Sequence, residues 1–395
     1  MLVLHTQVAK GEQGSMARAK FRLLVSKSWL VGFLLVLIWL GLRASALYYQ
    51  ADAGRRLATV QAAVPNNMLE DYSNALSSFP PGSAEQITQA IVDLQTSLKY
   101  NSDDSQTYLL LGRAYLLLGQ ADQAIEAYRN YIRLRPGNPL GHLGLGFARE
   151  AQCRSQIANS AAASGCPGAV AEWRAAGIDA SQLLAAGDSA FNRSQWSEAA
   201  DWYERARWYA GTTGAGGQVP FDLLFRQAVA AALAQRREAS ELLAEVQGRD
   251  GKFQAYILQD SVRIDGVEFR WMTLIGDGKD ANYGTPLSNG GSGTAGFLWW
   301  DGQETALLDV AQDGNFTLRA HLRDSDPAPV EMAIGIDGRP LEQITLSRGD
   351  DSWETVTLPI SLTRGFHSID LRFLNDAIVN GKDRNAVAEW VTVER

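Results

Sequence analysis

SQTYLLLGRAYLLLGQADQAIEAYRNYIRLRPGNP, residues 105–139, reads as two helices closed by a proline. Small residues at Gly112 and Ala124 let the two helices approach closely, and the rings of Tyr115 and Tyr128 fill the groove between them. Gly119 marks the turn, and Pro136 lacks the N–H needed to carry the second helix further. A hairpin of this kind cannot bury its apolar face alone, so it predicts neighbours of the same build.

Those neighbours are present at a period of about 34 residues. Ala90, within AEQITQAIVDLQTSLKY, stands one period before Ala124 and marks the second helix of a preceding hairpin. Leu145 and Gly146 repeat Leu111 and Gly112, but the partner helix returns only at Ala169 and Trp173, so the segment between Cys153 and Cys166 is an insertion. Gly187, Ala199, Tyr203 and Ala206 form a fourth copy, in which Trp196, Trp202 and Trp208 are expected as packing residues. Phe221 to Val246 is a degenerate fifth, set off by the flexible GTTGAGGQ (Gly211 to Gln218). Tyr108, Leu111, Gly112, Tyr115, Gly119, Ala124, Tyr128 and Pro136 resemble the signature of the tetratricopeptide repeat (TPR). That resemblance implies an all-α solenoid whose concave face holds a protein or peptide partner. Arg113, Arg129 and Arg133 are read as a solvated helix face rather than a carboxylate clamp.

Upstream, WLVGFLLVLIWLGL (Trp29 to Leu42) carries no charge, and Lys10, Arg18, Lys20, Arg22 and Lys27 precede it against the single acid Glu12. The asymmetry predicts a cytoplasmic N-terminus and an extracytoplasmic bulk. The run is short for a bilayer but extends through Ala44 to Tyr49 if Arg43 snorkels. A single-pass anchor over residues 28–49 is the primary expectation. The alternative is a secretory signal cleaved at Ala44-Ser45-Ala46, with Met16 as a possible start. Outside the cytoplasm, Cys153 and Cys166 are expected to form a structural disulfide rather than stay as two free thiols, and no CxxC spacing suggests redox chemistry.

Beyond about Asp250, alanine-rich helical periodicity gives way to alternation and Asp-Gly turns. FTLRAHLR, VEMAIGID, WETVTLP, HSIDLRFL and AVAEWVTV are strand candidates, and their number predicts an antiparallel, jelly-roll-like β-sandwich. LWWDGQ, GNFTLRAHLRDSDPAPVEMAIGIDG, GFHSIDLRFLND and KDRNAVAEWVTVE resemble the calcium-dependent, xylan-binding type of carbohydrate-binding module, over roughly Gly296 to Arg395. The resemblance implies Ca2+ held by the carboxylates of Asp376 and Asp383 with a backbone carbonyl near Lys382. Asn375 and Asn385 would add oxygen or brace the loop, and one of Trp299 and Trp300 would stack on a sugar ring. Ala386 and Ala388 depart from the bulkier or acidic residues usual in that family. Without the resemblance, the same loop reads as an Asn-Asp turn with an Arg–Asp surface pair.

The whole chain of 395 residues carries 36 Lys+Arg against 44 Asp+Glu, a net charge of -8, which argues against nucleic acid as a partner. Two cysteines and four histidines do not furnish a zinc finger or an iron–sulfur cluster. GSGTAG (Gly291 to Gly296) matches a phosphate-cradling pattern but lacks a strand–helix crossover, so it reads as a loop. No G-x-S-x-G or H-E-x-x-H stands anywhere in the chain. The expected order is a basic segment (1–27), an anchor (28–49), a linker with a first helix (50–83), repeats (84–246) and a sandwich (250–395). Such a protein is expected to be a membrane-anchored, extracytoplasmic, non-catalytic adaptor binding polysaccharide through calcium and a protein through its solenoid. A pure assembly scaffold with a structural sandwich is the alternative, and a glycan-processing enzyme comes third.

Overall fold

The computed structural model describes residues 5–61, 81–157, 165–213, 220–251, 253–274, 294–298, 301–325, 329–347 and 352–395. Contacts divide the chain into two compact units, Met1–Gly177 and Ile178–Arg395.

The first unit is all-helical. Helix α1 (His5–Gln61) is followed by α2 (Ser83–Tyr100), α3 (Ser105–Leu117), α4 (Ala121–Leu134), α5 (Pro139–Ile157) and α6 (Pro167–Ala175). From Val31 to Leu42, α1 leaves its apolar side chains exposed. Further along, Ala53, Leu57 and Val60 are buried against Ile87, Ala90 and Leu94 of α2 and Leu111 of α3. The end of α1 therefore takes the place of the first helix of a hairpin with α2, and α3–α4 and α5–α6 continue the series. Asp104 caps α3 by accepting from the Gln106 N–H at 3.3 Å.

Glycine decides how closely these helices stack. The Tyr128 ring on α4 is fully buried and lies between Gly112 of α3 and Gly144 of α5. A Cβ added at either glycine would fall 2.6 or 2.3 Å from Tyr128 Cε1, inside van der Waals contact. Trp173 covers Gly146 in the same manner, at 2.4 Å. Cys153 and Cys166 form a disulfide that ties the last turns of α5 to the residue preceding α6, across residues 158–164.

The second unit begins with two more hairpins, α7 (Ala180–Asn192) with α8 (Trp196–Thr213) and α9 (Phe221–Leu233) with α10 (Ala239–Arg249). Tyr203 repeats the glycine device over Gly187, at 2.5 Å. Its hydroxyl donates to Asp188 (2.8 Å), which also accepts from Arg226 Nη1 of α9 at 2.7 Å, so one carboxylate joins three helices. Trp202 is fully buried in this hairpin, with the Arg205 guanidinium 4.4 Å from its ring centroid.

Thirteen strands follow among the described residues: β1 (Tyr256–Leu258), β2 (Ser261–Asp265), β3 (Arg270–Leu274), β4 (Gly296–Leu298), β5 (Gly302–Val310), β6 (Gly314–Asp324), β7 (Val330–Ile336), β8 (Arg339–Leu346), β9 (Glu354–Leu362), β10 (Gly365–Phe373), β11 (Ile378–Val379), β12 (Lys382–Asp383) and β13 (Ala386–Glu394). One sheet runs β1-β5-β10-β7-β8 with β3 also on β5, and the other runs β2-β13-β6-β9 with β4 also on β13. Pairing is antiparallel except between β1 and β5. Leu308, Leu318, Ile334, Leu371 and Val391 from both sheets meet in one core. Ala386 and Ala388 are fully buried in that core, and the Ala388 carbonyl stands 1.9 Å from where a Cβ on Gly266 would be, so only glycine fits at 266.

The outer face of the first sheet is buried too. Helix hairpins pack against it: Arg339 Nε donates to Ser194 at 3.3 Å, and a Cβ on Gly365 would meet Gln235 Nε2 at 2.7 Å. Beneath them Asp370 accepts from Gln303 Nε2 (2.7 Å), Thr305 Oγ1 (2.8 Å), the Gly338 N–H (2.7 Å) and Ser368 Oγ (3.1 Å). On the outer face of the second sheet, His321 stacks between Trp353 and Trp390 with centroids 5.1 and 4.9 Å apart. Both indoles thus sit outside the core.

Candidate functional site

The sandwich gathers its acidic loops at one end. Asp301 immediately precedes β5, and the last residue of β10, Phe373, pairs with the first residue of β5, Gly302. The chain leaving β10 therefore passes beside Asp301, and Asp301 Oδ1 accepts the Asp376 N–H at 2.7 Å. Residues 378–383 form a small hairpin, with Ile378 opposite Asp383 and Val379 opposite Lys382. Its turn is Asn380-Gly381, with φ of 54° and 77°, the left-handed pair that a tight two-residue connection demands. The hairpin returns Asp383 toward Asp376. Arg384 closes the base by donating its N–H to the Ala377 carbonyl (3.0 Å) and Nη1 to the Asn375 carbonyl (2.9 Å).

Asp376 has two other carboxylates as charged neighbours. Burial first, and then the neighbouring charges of Asp383 and Asp301, push the Asp376 carboxyl above its ordinary range, against the opposing pull of Arg384. Asn385 lies just inside, nearly buried, with Nδ2 donating to Asp383 Oδ2 at 3.3 Å. Its Oδ1 is buried without a hydrogen-bond partner. Asn375 plays the bracing part: its Oδ1 accepts from the Glu331 N–H (2.9 Å) and its Nδ2 donates to the Pro329 carbonyl (3.1 Å). Trp299 and Trp300 lie outside the described residues.

Calcium takes six to eight oxygen ligands from carboxylates, amide and backbone carbonyls and water. Among the described residues no three His, Cys, Asp or Glu side chains converge tightly enough to hold a metal ion. The donor set nonetheless fits calcium, because mutually repelling carboxylates and a buried amide oxygen with no partner are groups that a divalent cation would satisfy. Asp301 escaped the sequence reading. It stands within LWWDGQ, but only the β5–β10 register places it beside Asp376.

A second acidic residue was also hidden in the sequence. Glu304, three residues past Asp301, is fully buried, and neither of its carboxyl oxygens has a partner. Burial holds that carboxyl far above the usual carboxylate range, and the Arg270 guanidinium opposes this only in part. Arg270 is itself engaged by Asp250 at 3.0 Å and by the carbonyls of Val267 and Phe269.

In the first unit, a cleft of about 480 Å³ opens between α4 and α5 beside the start of α6, lined by Glu126, Arg129, Arg149, Gln152 and the disulfide. Arg149 is paired there with Glu172 at 3.0 Å, and Glu172 also meets His142 Nδ1 at 2.8 Å.

Residues 112–152 match the family model of the TPR repeat. Residues 315–395 match that of a Ca-dependent, xylan-binding carbohydrate-binding module, CBM60. No curated protein matches the chain. Among solved structures, one domain similar to the sandwich is the CBM36-1 domain of a multidomain xylanase from the hindgut metagenome of Trinervitermes trinervoides. The match has 11% identity, 34% of this chain, 98% of that chain and a TM-score of 0.25. Another is a CBM36 module in complex with calcium and xylotriose, at 12% identity over 34% of this chain and 99% of that one, TM-score 0.24. A β-glucosidase from Paenibacillus barengoltzii is similar at 16% identity over 36% of this chain, TM-score 0.22, and the match spans 11% of that enzyme. The chain thus joins a repeat of the protein-interaction kind to a module of the carbohydrate-binding kind, and both are non-catalytic kinds of domain.

Proposed function

We propose that the protein is a membrane-anchored, extracytoplasmic adaptor that binds polysaccharide through calcium at the Asp301–Asp376–Asp383 end of its sandwich and a protein partner on its solenoid. In this reading residues 1–27 face the cytoplasm, 28–49 span the membrane, 84–246 form the repeat array and 250–395 the sandwich. The observation that carries the reading is the buried, partnerless Asn385 Oδ1 beside Asp383, with the charges of Asp383 and Asp301 both acting on Asp376. Asp376 and Asp383 would hold the ion, Asp301 would contribute charge and fix the Asp376 backbone, and the Lys382 carbonyl and Asn385 would supply neutral oxygen. Bound there, calcium would offer its remaining positions to two neighbouring sugar hydroxyls. Asn375 and Arg384 keep the loop in shape through the contacts described above. The solenoid's cleft beside α6, with charges of both signs, suits a peptide segment rather than an apolar ligand.

The test is calorimetric titration of the full chain in lipid nanodiscs, first with calcium and then with xylo-oligosaccharides. Wild-type protein is expected to bind calcium, and to bind glycan only when calcium is present. Asp383→Ala should lose both. Wild-type protein that takes up no calcium would overturn the calcium and glycan assignment.

A further inference from the structure

We infer that α1 is retained as an uncleaved anchor, and that Leu47, Tyr48, Tyr49 and Tyr100 form a collar seating the first hairpin of the solenoid on the membrane surface. The inference rests on the membrane-anchored reading above. Helix α1 runs without a break from His5 to Gln61, so the apolar run and the first repeat helix are one rod. The candidate cleavage triplet Ala44-Ser45-Ala46 lies inside that rod. Ala46 is 3% exposed, and its carbonyl accepts the Ser97 hydroxyl of α2 at 2.9 Å. A processing site needs an extended, accessible strand, whereas this one is helical and its last residue, Ala46, is packed. Cutting after Ala46 would remove the carbonyl that accepts the buried Ser97 hydroxyl of α2.

The level of the membrane surface follows from the rod's length. From Lys27 to Tyr48 a helix rises about 32 Å, close to a hydrocarbon core of about 30 Å. Arg43 lies short of Tyr48, and its guanidinium rests 5.2 Å from the Trp39 ring centroid, a cation–π contact within the apolar segment. Leu47 and Tyr48 are 62% and 65% exposed, an unusual display for the helix of a repeat packed in water. Tyr49 stacks on Tyr100 of α2, with centroids 6.1 Å apart and planes 5° from parallel. Because α2 runs back antiparallel to α1, with Asp93 facing Arg56 and Ser97 facing Ala46, Tyr100 stands level with Tyr49. Tyrosines concentrate where apolar ring and polar tip can each find a suitable medium, which is the headgroup layer. Two helices thus present tyrosine at one height, directly past the apolar segment.

All native thiols are bridged, so one introduced cysteine gives a single labelling point. Full-length Tyr48→Cys, Lys99→Cys and Glu85→Cys proteins would carry an environment-sensitive fluorophore. They would be reconstituted in vesicles of phosphatidylethanolamine and phosphatidylglycerol containing headgroup nitroxide lipid. Lys99→Cys leaves Tyr49 and Tyr100 intact, and residue 85 lies about 21 Å further along the helix. Labels at 48 and 99 are expected to lose at least half of their emission, and the label at 85 to keep nearly all of it. Intact mass is expected to retain the residues before Leu47. A mature chain beginning at Leu47 would overturn the anchor itself. A retained anchor with an unquenched label at 99 would overturn the collar alone.

Discussion

Adding one methyl group at Gly144 tests whether close helix approach holds the repeats together. Its Cβ would lie 2.3 Å from Tyr128 Cε1 and 2.4 Å from Cζ, so the ring would have to retreat by about 1 Å to reach ordinary contact. It cannot retreat freely, because Gly112 on the neighbouring helix is just as close to the same ring. A glycine-to-alanine change inside a helix gains about 1 kcal/mol of propensity. Overpacking a rigid site loses about 1–3 kcal/mol. With the ring held from both sides the upper part of that range applies, and the net loss is about 1–2 kcal/mol. Gly54, inside α1 with nothing within 4 Å of its Cβ position, isolates the propensity gain. Thermal unfolding of the full chain in detergent, followed by circular dichroism at 222 nm, should therefore move in opposite directions. At about 2–4 °C per kcal/mol, Gly144→Ala is expected to lower the helical transition by about 2–8 °C and Gly54→Ala to raise it by about 2–4 °C. Shrinking the ring with Tyr128→Leu should make the Gly144→Ala change nearly harmless in the double variant. A Gly144→Ala protein that melts higher than wild type, as Gly54→Ala should, would refute the reasoning.

Glu304→Gln tests the buried carboxyl. The folded-state pKa lies above the value of about 4.3 for an unfolded chain. Wild-type stability should therefore be fullest below that pH and decline as pH rises toward the folded-state pKa, whereas the Gln variant lacks this decline. Melting curves of the two that stay parallel from pH 4 to pH 9 would exclude it. Asp370→Ala removes the acceptor of four hydrogen bonds buried beneath the helices and is expected to lower the transition of the second unit steeply, by about 3 kcal/mol or more; a stability change under 1 kcal/mol would mean that water repairs the gap. Asp376→Asn should weaken calcium uptake less than Asp383→Ala, because the amide keeps one oxygen and relieves the repulsion among the three acids. Calorimetry on both variants measures the order, and a reversed order would relocate the principal ligand.

The helical hairpins were legible because their signal is local. Gly112, Tyr128 and Pro136 have their meaning within one stretch, and the structure packs that glycine on that ring. Strand β5 was not legible. It contributes Ala306 and Leu308 to the core while Gln303 and Thr305 are buried on its other side, so no alternation of polar and apolar residues marks it. Asp301 became a candidate only through the pairing of strands about 70 residues apart in sequence, a relation that spacing along one chain does not reveal. A first helix was expected within residues 50–83, but its continuity with the preceding segment was hidden, because the uncharged apolar run masks the amphipathic stripe of Ala53, Leu57 and Val60 that follows it.

The polar face around Asp370 bears on how the sandwich can be inherited or engineered. A self-sufficient bead can be cut from one gene and strung into another without harm. This one keeps Gln303, Thr305, Ser368 and Asp370 shut away from water under helices that precede it in the chain. Excised at residue 250, it would present that face to solvent with its covering removed. The smallest exchangeable piece is therefore the stretch from Ile178 onward, helices included, and transplantation experiments or chimaeras that respect that border should fold where shorter grafts fail.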